Sequence, residues 1–98
     1  MKRKVRYSPE ARTDILRLYA FLLEKDVVAA GQALAAIEQA VMGLALLPFR
    51  GRRLEAAVDN IRELVTTFGK AGYLALYHVS DDMVTILAIR HQREDDYR

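Results

Sequence analysis

The chain has 98 residues, 52% of them apolar, with no cysteine and a formal net charge of +2. That length buries one hydrophobic core and not two, so a single domain over residues 1–98 is expected, and without cysteine it is held by packing alone, which excludes a disulfide framework and fits a reducing compartment. The basic start MKRKVRYSPEARTD has no apolar stretch of an export signal behind it, and no uncharged apolar run reaches the ~18 residues of a membrane span, so neither export nor membrane insertion is expected.

The charge is small but unevenly spread. Lys2, Arg3, Lys4 and Arg6 open the chain with no acid among them, and Arg50, Arg52, Arg53, Arg62 and Lys70 face only Glu55, Asp59 and Glu63 over the later basic region. Arginine predominates, which suits forked contacts to carboxylate or phosphate as well as a plain solvated surface.

In chain order, Lys4-Val5-Arg6-Tyr7 alternates and reads as a short strand with Val5 and Tyr7 on one face. Ser8-Pro9-Glu10 is a helix start: the Ser side chain accepts a free backbone N–H, Pro tolerates the first helical position, and Glu sits at the positive end of the dipole. Ala11, Ile15, Leu18 and Leu22 recur at helical spacing, so the first helix runs to about Lys25. Asp26 caps a second helix with Ala30, Leu34, Ile37, Val41 and Leu44 as its main stripe, ending before Pro48. Between Gly31 and Leu47 the only polar side chains are Gln32, Glu38 and Gln39, so more than one side of this helix is apolar. Two arrangements fit: tight packing against both the sheet and the first helix, or a face that stays exposed until a partner covers it.

The connector Pro48-Phe49-Arg50-Gly51-Arg52-Arg53 is the densest positive stretch beyond the N-terminus. Arg50, Arg52 and Arg53 suit a phosphate or an acidic target, or form a solvated loop. From Ile61 to Arg93, three runs rich in Val, Ile, Leu, Thr and Tyr are separated by the turn clusters Gly69-Lys70-Ala71-Gly72 and Ser80-Asp81-Asp82, the pattern of a three-stranded antiparallel meander. Tyr73, Ala75, Tyr77 and Val79 share one face of its middle strand and Leu74, Leu76 and His78 the other. Val84 to Ile89 is largely apolar on both faces, as a central strand is. The fold class is therefore α+β: a small antiparallel or mixed sheet of about four strands with both helices packed on one face, in the order β-α-α-β-β-β.

That order, with Leu47-Pro48 and Gly51 before the meander, Arg62 at its start, Gly72-Tyr73 and Tyr77 in its middle and Ile89-Arg90-His91-Gln92-Arg93 at its end, resembles the RelE/ParE superfamily of bacterial toxins over nearly the whole chain. The resemblance implies a cytoplasmic toxin of a type II toxin-antitoxin, or plasmid stabilisation, system that inhibits growth. It also implies a cognate antitoxin that wraps a segment over the toxin, in a hetero-oligomer or around a toxin homodimer. RelE-like members cleave mRNA on the ribosome, where a ribose 2′-OH attacks the adjacent phosphate. That reaction needs a proton acceptor, a proton donor and cations against the developing charge. Their Lys and Arg cluster lies on the first two meander strands; here Arg62 matches one position, while Leu64 and Leu74 stand where two others align. ParE-like members bind DNA gyrase and need no such cluster, and this is the branch the two leucines favour.

If the chain is a nuclease, His91 is the candidate acid or base, since its ordinary pKa lies near neutrality, with Arg62 as the cation and Tyr97 assisting from the tail. Arg93 joins Arg50, Arg52 and Arg53 as a candidate for target or phosphate contact. The favoured reading is that His91 finishes a strand and packs or hydrogen-bonds there. Pairing about the Ser80–Asp82 turn places His91 opposite Gly72, roughly 20 Å from His78, so the two histidines share no metal site. No Ser-His-acid triad, Gly-rich phosphate loop or cofactor motif is present, and no helix-turn-helix reader is recognisable.

Overall fold

The computed structural model describes residues 2–54, 60–68 and 71–92; Arg93 and Tyr97, and the Gly69-Lys70 half of the first hairpin turn, lie outside them. The elements are β1 (Lys4–Tyr7), α1 (Pro9–Leu23), α2 (Val27–Met42), a 3-10 turn (Gly43–Ala45), β2 (Arg52–Arg53), β3 (Ile61–Phe68), β4 (Ala71–Val79) and β5 (Met83–His91). Both helix starts are capped as the residue types dictate. The Ser8 side chain accepts the Ala11 N–H at 3.0 Å and the Asp26 carboxylate accepts that of Ala29 at 3.1 Å, each cap worth about 0.5–2 kcal/mol.

The strands form a mixed sheet in the order β1-β5-β4-β3-β2, in which β1 runs parallel to β5 and the other pairings are antiparallel. The arrangement is the expected one, with one short edge strand added where Arg52 and Arg53 pair with Glu63 and Arg62. Two basic residues carry no apolar alternation, so nothing in their pattern announces a strand. The central position of β5, between β1 and β4, is the one its two apolar faces imply.

Both helices lie on one face. Ala11 and Leu18 of α1 and Ala33, Ile37 and Val41 of α2 join Leu64, Tyr73, Ala75, Tyr77, Val79, Val84, Ile86 and Ile89 in one buried cluster. Each fully buried Leu, Ile or Val there is worth roughly 1.5–3 kcal/mol relative to exposure. Among the described residues, no helix lies over the opposite face, which carries Ile61, Val65, Leu76, His78 and Arg90. The outer side of α2 is uncovered too: Val27 and Val28 are each 68% exposed and Met42 55%. The segment Val27–Ala45 is long and apolar enough, by length and composition, to cross a membrane. In this fold its Ala30, Ala33, Ile37, Val41 and Leu44 are buried within the molecule.

One irregularity decides where the later site residues point. Between the pairs Leu76↔Ala88 and Tyr77↔Ile86 the register of β4 with β5 slips by one, leaving Leu87 as a bulge. Val84 and Ile86 face the helices before it, and Ile89 and His91 face them after it. The bulge is held from α1: the Ile89 N–H donates to Asp14 Oδ2 at 3.0 Å, and the Ser8 hydroxyl donates to the Leu87 carbonyl at 3.2 Å.

Candidate functional site

The basic connector is held down by two side chains of the sheet. Tyr77, fully buried in β4, donates its hydroxyl hydrogen to the Pro48 carbonyl at 2.8 Å and accepts the Gly51 N–H at 2.8 Å. Arg62 of β3 donates through Nη1 to the Gly51 carbonyl at 2.8 Å and to that of Phe49 at 3.2 Å. Burial pushes the Tyr77 hydroxyl above the ordinary tyrosine pKa, against the opposing pull of the Gly51 N–H and of the Arg62 and Arg50 charges. It therefore stays protonated and can donate. Glycine is required at position 51, because a Cβ there would lie 2.5 Å from the Tyr77 hydroxyl and 2.8 Å from the Glu63 carbonyl oxygen.

Above this clamp sits Phe49, half exposed, with the Arg62 guanidinium 5.0 Å and that of Arg3 5.4 Å from its ring centre. These are cation–π distances. Among the described residues Arg62 Nε is buried without a hydrogen-bond partner, so the ring contact is part of its compensation. Arg50 folds back towards Gly43 at the C-terminal end of α2, where a cation is favoured. Arg52 pairs with Glu63 at 2.9 Å with most of its side chain in solvent, a surface pair worth about 0–1 kcal/mol. Arg53 is exposed on the helix side, paired in register with Arg62, while Arg52 and Glu63 share the open side.

At the far end, His91 stands opposite Tyr73 and not Gly72, since the bulge at Leu87 adds a residue to β5. Its ring meets the buried Tyr73 ring edge to face, with centroids 5.3 Å apart. Burial raises the Tyr73 pKa. Next along, the Gln92 side chain occupies the space that a Cβ on Gly72 would need.

Among the described residues, the candidates for phosphate chemistry do not converge. Arg62 is in register with Tyr77 and His91 with Tyr73, so four residues along β4 and two strand spacings separate them, roughly 16 Å. Leu64 and Leu74 do not share a face either: Leu64 is in the core beneath the helices, and Leu74 lies on the open side between Val65 and Arg90. His78 is on that open side, paired with Ile61 and Thr85, and the sheet separates it from His91. Among the described residues no three His, Asp or Glu side chains come together as a metal site would require. Two contributors escape a reading of the sequence. Phe49 is half visible as the aromatic inside PFRGRR, whereas Asp14 looks like any solvated helix acid until its carboxylate is seen on the bulge.

A helical pair packed on one face of a mixed sheet, with a Tyr- and Arg-clamped connector leading into the meander, defines a small α+β domain. The family model described as ParE toxin of the type II toxin-antitoxin system, parDE, matches residues 5–96. This chain belongs to that family. It is 37% identical over 92 residues to Toxin RelE3 of Caulobacter vibrioides, covering 94% of this chain and 97% of that one. Its fold matches that of the chromosomal ParDE system from P. aeruginosa with a TM-score of 0.74 at 20% identity, over 92% of this chain and 96% of that one. The toxin-antitoxin complex RelBE2 of Mycobacterium tuberculosis matches with a TM-score of 0.68 at 25% identity, over 94% and 93%.

Proposed function

We propose that this toxin arrests growth by binding a protein target of the DNA gyrase type, and that a cognate antitoxin neutralises it. The observation that supports binding over RNA cleavage is the position of Arg62. Its Nη1 is engaged by two backbone carbonyls and its guanidinium lies over Phe49, roughly 16 Å from His91 by strand geometry. A phosphorane-like charge would have to form within hydrogen-bonding reach of both residues, and losing one such donor typically costs about 100- to 1000-fold in rate. The antitoxin half of the reading is supported by family membership and by the uncovered apolar surface of α2.

Two assays on the same purified chain test it: supercoiling by gyrase, and mRNA cleavage on programmed ribosomes. Inhibited supercoiling with intact mRNA is expected, unchanged in His91→Ala. Ribosome-dependent cleavage that disappears in His91→Ala, with gyrase untouched, would overturn the choice of target and leave the family assignment standing.

A further inference from the structure

Arg3 ties together parts of the chain that lie far apart in sequence. Its N–H donates to the Ala45 carbonyl in the 3-10 turn at 2.8 Å, and its Nε donates to the Ser80 carbonyl at the turn between β4 and β5 at 3.0 Å. Its guanidinium lies 5.4 Å from the centre of the Phe49 ring in the basic connector. Directly after it comes β1, four residues long, at the edge of the sheet and paired with β5. Lys4 and Arg6 of that strand are exposed, while Val5 and Tyr7 are partly buried against the core. A short edge segment with so little burial opens locally at a fraction of the cost of unfolding the whole domain. The Lys4 N–H donates to the Asp82 carbonyl at 3.0 Å, so the position of Arg3 depends on the docking of the strand that follows it.

We infer that β1 and the connector open and close as one unit, with Arg3 as the latch between them. Tyr77 and Arg62 grip the connector backbone from the sheet, through Pro48, Phe49 and Gly51, and Arg3 adds a hold on the Phe49 ring from the N-terminal strand. When β1 leaves β5, Arg3 is withdrawn from Ala45, Ser80 and Phe49 together, and the ring keeps only the Arg62 guanidinium. The connector carries Arg50, Arg52 and Arg53, so the docked strand sets how those side chains are presented, and Arg3 is a positioning residue for them. Arginine suits the role because a planar guanidinium donates along its edge while its face lies on a ring, which the point charge of a lysine does not reproduce. The coupling goes beyond the reading above and stands whichever target the toxin has.

Amide hydrogen exchange on the purified full-length chain tests it. In Arg3→Met, exchange should speed at least about threefold both at Lys4 and Arg6 of the strand and at Arg50 and Gly51 of the connector. Phe49→Leu should speed the same four amides, the strand included, because coupling between two parts is reciprocal. The factors should fail to multiply in the double variant, since both changes release one latch. Arg3→Lys, which keeps the charge and loses the fork, should behave as Arg3→Met does at the connector. Lys2→Met, which removes the neighbouring exposed charge, should leave all four amides within about threefold of the parent, and Leu76 in the middle of β4 should stay within about threefold in every variant. Connector exchange that is unchanged in Arg3→Met, or strand exchange that is unchanged in Phe49→Leu, would overturn the inference. So would full rescue by Arg3→Lys, an equal effect of Lys2→Met, factors that multiply in the double variant, or an equal acceleration at Leu76, which would mean that the whole domain is unfolding.

Discussion

Replacing Tyr77 by Phe removes one oxygen from a filled core and keeps the ring, which isolates the clamp on the connector. The lost hydroxyl serves two buried partners, the Pro48 carbonyl and the Gly51 N–H, each at 2.8 Å. A buried group left unsatisfied costs about 1–3 kcal/mol, so with two such groups Tyr77→Phe should lose about 2–6 kcal/mol if the connector stays in place and less if it lifts into water. For a chain of 98 residues, each kcal/mol lowers Tm by about 4–8 °C. Urea unfolding followed by circular dichroism reads the free energy, and amide exchange at Gly51 reads whether the loop has lifted. Because Arg62 holds the same loop through the Phe49 and Gly51 carbonyls, Tyr77→Phe and Arg62→Met should be non-additive, with a coupling above about 0.5 kcal/mol. A loss below about 0.5 kcal/mol for Tyr77→Phe, or strict additivity in the double variant, would refute the clamp.

Gly51→Ala should destabilise by about 1–3 kcal/mol or displace the loop, since the new methyl would meet the Tyr77 hydroxyl and the Glu63 carbonyl; unfolding at wild-type denaturant concentrations would count against this. Asp14→Ala should cost about 1–3 kcal/mol and speed amide exchange at Ile89, whereas Asp14→Asn, which keeps an acceptor, should recover part of both; equal losses in the two variants would remove the hydrogen bond as the cause. Tyr7, Tyr73 and Tyr77 all have pKa values raised above 10.0, chiefly by burial. In the window between unfolded and folded pKa the native state therefore holds more protons than the unfolded one. The tyrosines' contribution to stability should be constant below about pH 10 and be lost above it, so stability should fall less steeply above about pH 10 in Tyr77→Phe than in the parent, as followed by thermal melts across that range.

The two helices were legible because their information is local. Ser8 and Asp26 cap the helices they precede, and the stripe through Ala11, Ile15, Leu18 and Leu22 and that through Ala30, Ile37, Val41 and Leu44 turn inward as their spacing requires. The meander was legible for the same reason, through alternation and turn residues. The two-residue strand β2 was not, since Arg52 and Arg53 carry no apolar alternation and their pairing with β3 is a contact between distant parts of the chain, beside the loop that the clamp holds.

Apart from β2, the sequence by itself determined the order of the elements and the central position of the last strand, because periodicity, caps and turns are written in neighbouring residues, and its motifs carried the resemblance to the family. Only the tertiary structure decided which side chains meet. The bulge at Leu87 depends on Ser8 and Asp14, more than seventy residues earlier, and it turns His91 onto the helix face against Tyr73. Arg62 looked like a free cation for phosphate until the fold placed two carbonyls and an aromatic ring around it. Leu64 and Leu74 read as a matched pair, and strand parity sent them to opposite sides of the sheet. A one-residue shift in register reverses every side chain beyond it, and contacts far apart in the chain set that shift.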